Sequence, residues 1–176
     1  NWMLASTPGN QPKEFPEGEL SQDLTYNYNR AKLAWYIIDP VFHSNSTQTP
    51  DNIKDDKTIT SDHYQRQVLI EEVFPNASYD RSTPVNIATL DLGFYPNERG
   101  PYNFDVEGAP GFSAGLDASG NLLDPESRWA GIMRPLSINN FEEQNIEFIQ
   151  FWVMDPYIDD PAHEGGDLYF NLGSMS

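Results

Sequence analysis

The sequence predicts a mostly β protein, an antiparallel β-sandwich of the jelly-roll type with short helical decorations. Its apolar runs are short and rich in β-branched and aromatic residues, which is typical of strands. Its 14 Pro and 12 Gly interrupt these runs at turns. No long segment repeats apolar residues at helical spacing, so helices are not expected to form a layer of their own.

The N-terminal part of the chain contains little apolar sequence. Pro, Gly, Asn and Glu dominate residues 1–20, which are predicted to be an extended lead-in or linker with little core contact. Residues 21–176 are predicted to form a single β-rich domain. Within it, residues 44–60 are Ser, Thr, Asn, Asp and Lys with few apolar side chains, and they are predicted to form a mobile surface loop.

Three segments of the first half are candidate elements. Ala31–Ile38 is an apolar run that fits either a strand or a short buried helix, and the sequence leaves both open. Ser61–Phe74 combines helical spacing with β-like runs, with Ser61 as a candidate helix cap. Val85–Tyr95 alternates between two faces and predicts a strand.

The middle of the chain has clear turn chemistry. Asp117–Asn121 contains Asp, Ser, Gly and Asn between Leu116 and Leu122, which predicts a hairpin. Trp129–Met133 is then a short apolar run and predicts a strand.

Two further strands are predicted near the C-terminal end. Asn139 or Asn140 is a candidate cap for one helical turn at the acidic residues that follow. Ile146–Met154 is apolar on both faces, which predicts a buried strand in the middle of a sheet. Leu168–Leu172 alternates and predicts a half-buried strand.

The composition excludes several functional classes. The formal net charge of -17 would repel nucleic acid and anionic lipid headgroups, so neither is an expected partner. The absence of Cys excludes disulfides, thiolate nucleophiles and Cys-based metal sites. The longest apolar block, Phe148–Met154, is interrupted by Gln150 and is much shorter than the roughly 18 residues of a membrane-spanning helix, so no spanning segment is predicted.

No segment has the pattern of a catalytic or metal site. Adjacent acids occur at residues 71–72, 142–143 and 159–160. They are expected to be solvated, because acidic pairs are common on protein surfaces and need no catalytic role. His43, His63 and His163 lack ligand spacing. Two oxygen-rich segments are weak calcium candidates: residues 117–121 with Asp124, and residues 155–160 with Asp167. The segment at 117–121 is better explained as the predicted hairpin.

Nucleophilic and phosphate-binding motifs are also lacking. There is no G-x-S-x-G elbow, and Gly111–Gly115 has no following Lys that would make it a phosphate loop. We therefore predict a non-enzymatic protein with no catalytic, cofactor-binding or metal residues and no cofactor. Trp35, Trp129 and Trp152 lie in apolar runs and are predicted to be core rather than a sugar-stacking platform.

Five blocks of the sequence resemble the SprA (Sov) family of Bacteroidota, in order over nearly the whole chain. The blocks are Asn29–Pro40, Glu98–Asn103, Arg128–Arg134, Asn145–Pro156 and Gly166–Gly173. Two loops, residues 44–60 and 105–115, match the family pattern poorly.

The resemblance implies an outer-membrane translocon of the type IX secretion system, active in protein secretion and gliding motility, that exports folded cargo through a giant barrel. Family chains run to more than two thousand residues, so this chain is expected to be a fragment, a soluble domain of the translocon's cap, plug or cargo path. The implied partners are other parts of the parent translocon barrel, accessory translocon proteins and secreted cargo. The implied location is the cell outer membrane, on the extracellular or the periplasmic face. The resemblance brings no catalytic residues.

A second hypothesis belongs to a different class of function. Four Trp, nine Tyr and ten Phe together with many acids and amides would also suit a carbohydrate-binding or adhesin-like β-sandwich at the cell surface.

Overall fold

The structure is a computed structural model that describes residues 1–20, 22–138 and 140–173. Its strands are β1 (Met3–Leu4), β2 (Ala31–Tyr36), β3 (Val68–Leu69), β4 (Asn86–Ile87), β5 (Asp91–Arg99) and β6 (Ile132–Met133). Over the described residues they form three two-stranded sheets, which pair β1 with β6, β2 with β5 and β3 with β4. The first and third are antiparallel, with Met3 opposite Met133 and Val68 opposite Ile87. Short antiparallel strands in small sheets agree with the mostly β prediction, and the jelly-roll-like sandwich stays a prediction.

Short helices decorate these sheets. They are α1 (Asp51–Asp55), α2 (Lys57–Ser61) and α3 (Ile70–Val73), together with 3₁₀ turns at Pro16–Leu20, Leu24–Asn27, Pro40–His43 and Pro125–Ser127. Aspartates begin several of them, because the side chain accepts a hydrogen bond from a backbone N–H that the first turn leaves unpaired. Asp39 accepts from the N–H of Val41 at 2.9 Å, and Asp56 accepts from that of Thr58 at 3.0 Å.

The chain divides into two compact units. Unit 1 comprises Asn1–Ala34, Leu92–Phe141 and Leu168–Ser176, and unit 2 comprises Trp35–Asp91 and Glu142–Asp167. The predicted single domain over residues 21–176 stays a prediction.

Several residues of 1–20 pack into unit 1, which is more contact than the sequence indicated, and the linker assignment of this segment stays a prediction. Strand β1 pairs with β6. The Phe15 side chain is buried, and its ring meets the edge of Trp129 at a centroid distance of 5.8 Å. The Thr7 hydroxyl donates to the carbonyl of Tyr26 at 2.9 Å. A single aromatic side chain and paired backbone groups are enough to hold a Pro-rich segment in place.

The apolar run that begins at Ala31 is a strand, which resolves the alternative that the sequence left open. Lys32 on β2 reaches Glu98 on β5 at 2.6 Å and lies over the ring of Tyr95 at 4.8 Å. Cross-strand contacts of this kind stabilise a two-stranded sheet. The predicted strand at 85–95 is present in two parts, as β4 and the start of β5.

Residues 44–60 contain short helices and internal hydrogen bonds, so the prediction of a loop was wrong for part of this range, and its mobility stays a prediction. They include α1 and most of α2. Thr49 is only 2% exposed, and its hydroxyl donates to the carbonyl of Val41 at 2.7 Å. A buried hydroxyl that makes a hydrogen bond can fix the position of a polar loop.

Residues 61–74 contain both a strand and a helix. Strand β3 is followed at once by α3, which agrees with the mixed signal in the sequence. Ser61 is the last residue of α2 and caps no helix, so that part of the prediction was wrong. Glu72 instead accepts from the N–H of Leu69 at 3.0 Å at the start of α3.

The hairpin at residues 117–121 is confirmed. Leu116 and Leu122 form an antiparallel bridge, and the N–H of Asp117 donates to the carbonyl of Asn121 at 2.8 Å. Gly120 has φ +86°, a conformation that glycine adopts without strain. The predicted strand at 129–133 is reduced to β6, with Trp129 in an isolated parallel bridge to Arg30.

The two C-terminal strand predictions were wrong. Residues 146–155 and 167–172 lie outside any strand, and Phe148 and Trp152 are 70% and 72% exposed. A strand needs a neighbour for its backbone N–H and C=O groups, and strand-like composition does not supply one. Asn139 lies outside the described residues, and residues 141–145 form turns instead of the predicted helical turn.

Candidate functional site

The most buried part of unit 1 is polar. Over the described residues, the few buried apolar side chains include Phe15, Ala31 and Leu122. Four buried polar residues of unit 1, which we call the arginine cluster, lie at the junction of its loops: Arg30, Asn103, Asp105 and Arg128. Because buried charges are costly unless they are paired and hydrogen-bonded, the partners of these groups decide what the cluster does.

Arg128 ties three separate segments together. Its guanidinium donates to the carbonyl of Leu123 from Nε at 2.9 Å and from a terminal nitrogen at 2.6 Å. The other terminal nitrogen donates to the carbonyl of Tyr28, the amide oxygen of Asn29 and the hydroxyl oxygen of Ser113, at 2.9–3.1 Å. Burial lowers the pKa of Arg128, while the negative charges of Asp105, Asp124 and Glu17 act to raise it.

Asp105 is fully buried and closes the loop that follows β5. One carboxylate oxygen accepts from the N–H of Gly108 at 2.7 Å, and the other accepts a short hydrogen bond from the Ser113 hydroxyl. The amide of Asn103 donates to the carbonyls of Tyr28 at 2.8 Å and Arg30 at 2.7 Å. Ser113 therefore links Asp105 to Arg128, and its hydroxyl oxygen also accepts from the N–H of Gly115 at 3.2 Å.

Arg30 occupies the other side of the cluster. It donates to the carbonyl of Ala5 at 2.5 Å and to the side chain of Asn27, and its guanidinium carbon lies 4.7 Å from the centroid of the Trp129 ring. The Trp129 indole N–H in turn donates to buried Glu17 at 2.8 Å. Burial lowers the pKa of Arg30.

The arginine cluster is built to hold loops together. Its guanidinium and amide groups donate mainly to backbone carbonyls, and the Asp105 carboxylate accepts from the Gly108 N–H and from the Ser113 hydroxyl. Such a network can specify one arrangement of loops when every member is satisfied. Sequence analysis placed Arg128 only at the start of a block that resembles a family, and no local pattern pointed to Asp105 or Ser113.

The most exposed apolar sequence lies in unit 2, in residues 146–153, which we call the exposed segment. Phe148, Ile149, Trp152 and Val153 are 52–72% exposed. The exposed parts of the two aromatic rings alone amount to roughly 200–350 Å². This approaches the largest apolar patch of a typical monomer, and such patches mark interaction sites.

The exposed segment is anchored at its C-terminal end. Tyr64 donates from its hydroxyl to the carbonyl of Pro156 at 3.2 Å, and the His63 ring contacts the carbonyl of Asp155 at 3.1 Å. Trp152 meets the ring of Phe74 edge-on at a centroid distance of 6.2 Å. Its position is therefore fixed by unit 2 while its apolar side chains face solvent.

Acidic residues surround the exposed segment in sequence. After Arg134 the chain has no Lys or Arg. The same stretch carries eight acids, which are Glu142, Glu143, Glu147, Asp155, Asp159, Asp160, Glu164 and Asp167. The stretch of chain that contains the segment is therefore strongly negative.

Unit 2 also has an open cavity of about 450 Å³ lined in part by Lys57, Arg66 and His43. Its cations already have partners. Lys57 donates to the side chain of Asn45 at 3.2 Å, and Arg66 donates to both carboxylate oxygens of Glu72, at 3.0 and 2.9 Å. An anion would have to displace these contacts, so the cavity is a weaker candidate than the exposed segment.

The residues considered from sequence as chemical candidates are dispersed or used locally. Asp117 accepts from the N–H groups of Ser119 and Asn121, both at 2.8 Å, and serves the hairpin. His163 stacks on Tyr157 at 3.9 Å. Over residues 1–20, 22–138 and 140–173, no group of three His, Asp or Glu side chains is placed to hold a metal ion.

The predicted core tryptophans are only partly buried. Trp35 and Trp129 are half-buried, whereas Trp152 is largely exposed, so its assignment to the core was wrong. No helix in the described part of the chain is long and apolar enough to cross a membrane. No model of a known protein family and no curated protein matches this chain.

Proposed function

We propose that this chain is a non-enzymatic domain of a SprA-like outer-membrane translocon of the type IX secretion system, which contributes to the cap, plug or cargo path through protein contacts. The observation that carries the proposal is the exposed segment. A protein that presents Phe148 and Trp152 to solvent on an anchored backbone has an interaction surface before any partner is known. The secretion and motility roles come from the resemblance.

The blocks that resemble the SprA family support this division of roles. Three of them, Asn29–Pro40, Glu98–Asn103 and Arg128–Arg134, contribute Arg30, Asn103 and Arg128 to the arginine cluster. A fourth, Asn145–Pro156, contains the exposed segment. The resemblance thus covers both the network that orders unit 1 and the surface that would meet a partner.

The predicted β-sandwich belongs to the same proposal. The exposed segment has the composition of a strand that is buried on both faces, and it becomes such a strand only when a neighbouring strand pairs with it. A sandwich is then completed in the assembled translocon.

The test is secretion from a Bacteroidota strain in which the parent translocon carries Phe148→Asp together with Trp152→Asp. We expect export of type IX cargo and gliding to fall while the amount of translocon in the outer membrane is unchanged, because two charges would prevent burial of the segment. Val106→Asp is the matched control, since Val106 is 62% exposed in unit 1. Normal export by the double variant at normal translocon levels would refute the role in transport.

A carbohydrate-binding or adhesin-like module is the second candidate, and the exposure of Trp152 favours it. An exposed indole stacks on the face of a sugar ring, and neighbouring acids accept hydrogen bonds from hydroxyl groups. The aliphatic neighbours Ile149 and Val153 suit a protein partner better than a sugar. A glycan array with wild type and Trp152→Ala separates the two: reproducible binding that the variant loses would favour the carbohydrate function.

A further inference from the structure

We infer that the open cavity of unit 2 binds a monoanionic sugar, that is, a sugar ring that carries one carboxylate. The side chains that would contact this ligand line the cavity together, and they are Lys57, Thr60, Ser61, Arg66, Leu69 and Glu72. The cavity volume of about 450 Å³ falls within the roughly 300–1,000 Å³ that is usual for small-molecule sites. The site does not involve the exposed segment, so the inference is independent of the proposed role in the translocon.

The charges that line the cavity suit one negative charge on the ligand. Arg66 donates to both carboxylate oxygens of Glu72, at 3.0 and 2.9 Å, so these two charges balance each other. Lys57 instead donates to the neutral side chain of Asn45, at 3.2 Å. A ligand carboxylate that displaces this amide oxygen adds the attraction between two opposite charges to the hydrogen bond. Lys57 is therefore the cation that a ligand carboxylate would meet.

Ligands with several negative charges are disfavoured at this cavity. The protein has a net charge of -17, and Asp56, Asp62 and Glu71 flank the lining residues in the chain. At physiological ionic strength, charges beyond about 8 Å are largely screened, so the nearby ammonium of Lys57 decides the binding of a single carboxylate. Phosphate dianions and polyacidic chains would extend the negative charge towards the surrounding acids and be repelled.

Two hydroxyl groups of the cavity are suited to a ligand that has hydroxyl groups of its own. The Thr60 hydroxyl lies 3.4 Å from the carbonyl oxygen of Lys57, and the Ser61 hydroxyl lies 3.5 Å from that of Thr58. These distances exceed the roughly 2.5–3.0 Å of a normal O–H···O hydrogen bond, so each contact is weak. Because a hydroxyl rotates freely, both groups can turn to a ligand at little cost.

Glu72 and Leu69 complete the match to a sugar ring. The Glu72 carboxylate accepts from Arg66 and from the N–H of Leu69, and its remaining lone-pair capacity can accept from a sugar hydroxyl. The Leu69 side chain is 41% exposed and offers apolar surface to the C–H groups of the ring. One charge, several hydroxyl partners and one apolar contact describe a sugar acid better than a simple carboxylate.

The test is an NMR titration of the whole chain, in which ¹H–¹⁵N spectra follow the backbone amides. Three probes separate the contributions: methyl galacturonoside has the charge and the hydroxyls, methyl galactoside has only the hydroxyls, and acetate has only the charge. We expect methyl galacturonoside to shift the amide signals of residues 57–61 and 66–67 with a Kd on the order of 1–10 mM, as for one exposed ion pair with a few hydrogen bonds. The other two probes should bind at least roughly tenfold more weakly, because each lacks one part of the match.

Two variants locate the charge that the ligand uses. Lys57→Gln should raise the Kd for methyl galacturonoside roughly three- to tenfold, because it removes the ion pair. Arg81→Gln is the matched control, because it removes the same charge from an exposed residue of unit 2 that does not line the cavity. A wild-type titration at about 0.5 M NaCl, where the affinity should fall, tests the ion pair without any substitution.

Several outcomes would overturn the inference. They are the absence of shifts at residues 57–61 and 66–67, equal binding of methyl galactoside or acetate, and equal weakening by Lys57→Gln and Arg81→Gln. Tighter binding of N-acetylglutamate or inorganic phosphate than of methyl galacturonoside would also overturn it, because the site would then serve acidic peptides or phosphate. None of these outcomes bears on the secretion experiment, which concerns Phe148 and Trp152.

Discussion

Removing the Arg128 guanidinium should destabilise unit 1 by about 3–5 kcal/mol, the usual loss when one member of a buried charged network is deleted. The structure supports this size through the groups that Arg128→Met leaves behind. The carbonyl of Leu123 accepts two hydrogen bonds from Arg128, and the amide oxygen of Asn29 accepts one. The buried Asn29 oxygen left without a donor costs about 1–3 kcal/mol, and the part-buried Leu123 carbonyl costs less because water can reach it. The carbonyl of Tyr28 is spared, because Asn103 also donates to it.

Amide hydrogen exchange in peptides that cover residues 28–31 and 103–105 measures this loss within unit 1. A change of about 3–5 kcal/mol corresponds to exchange that is roughly 10²–10³-fold faster or more. Arg128→Lys keeps the charge but lacks the planar fork, so its effect should be intermediate. Arg134→Met is the control, because Arg134 is exposed and should change stability by less than about 1 kcal/mol. A loss below about 1 kcal/mol for Arg128→Met would refute the view that the arginine cluster orders unit 1.

Three further predictions follow from burial, close approach and charge. Trp152→Ala should lower the free energy of unfolding in urea by less than about 1 kcal/mol, because the side chain is 72% exposed. Phe15→Ala should lower it by about 3–5 kcal/mol, because Phe15 is buried. Equal losses for the two variants would contradict the exposure of Trp152. Gly100→Ala should cost about 1–3 kcal/mol in the same assay, because its Cβ would lie 2.2 Å from the carbonyl oxygen of Ala31, while Gly9→Ala, with open space around it, should be neutral. Hydrogen bonds from Asn121 lower the pKa of Asp117 in the folded protein. The stability that this carboxylate gives the hairpin is therefore present above the ordinary aspartate pKa of about 3.9 and is lost as the pH falls through the lower pKa of the folded state. A carboxyl-carbon NMR titration of Asp117 with a midpoint at or above about 3.9 would contradict this.

The hairpin could be predicted from sequence, and strand β2 could be recognised as one of two alternatives, because their causes are local. Asp, Ser, Gly and Asn at residues 117–121 satisfy a tight turn with their own side chains and with a glycine at positive φ. Ala31–Tyr36 has the apolar composition of a strand and is followed by Pro40, which cannot continue it. Each assignment depends on residues that lie within a few positions of one another.

The errors came from inferring burial or exposure from local composition alone. Ile146–Met154 has the pattern of a strand buried on both faces, but burial requires a partner that the sequence of the segment does not specify. Residues 44–60 looked like a mobile loop, because no local pattern showed that Thr49 would be buried beneath the carbonyl of Val41. In both cases the deciding contact is made by another part of the fold.

The sequence by itself determined the strongly acidic composition, the absence of thiol chemistry, the local turns and the apolar character of the exposed segment. These properties follow from side-chain type and short-range spacing. Only the tertiary structure decided that a polar network of Arg30, Asn103, Asp105 and Arg128 occupies the centre of unit 1 and that Trp152 faces solvent. The physical reason is that a buried charge is tolerated only where distant segments supply its partners, and those segments meet only when the chain has folded.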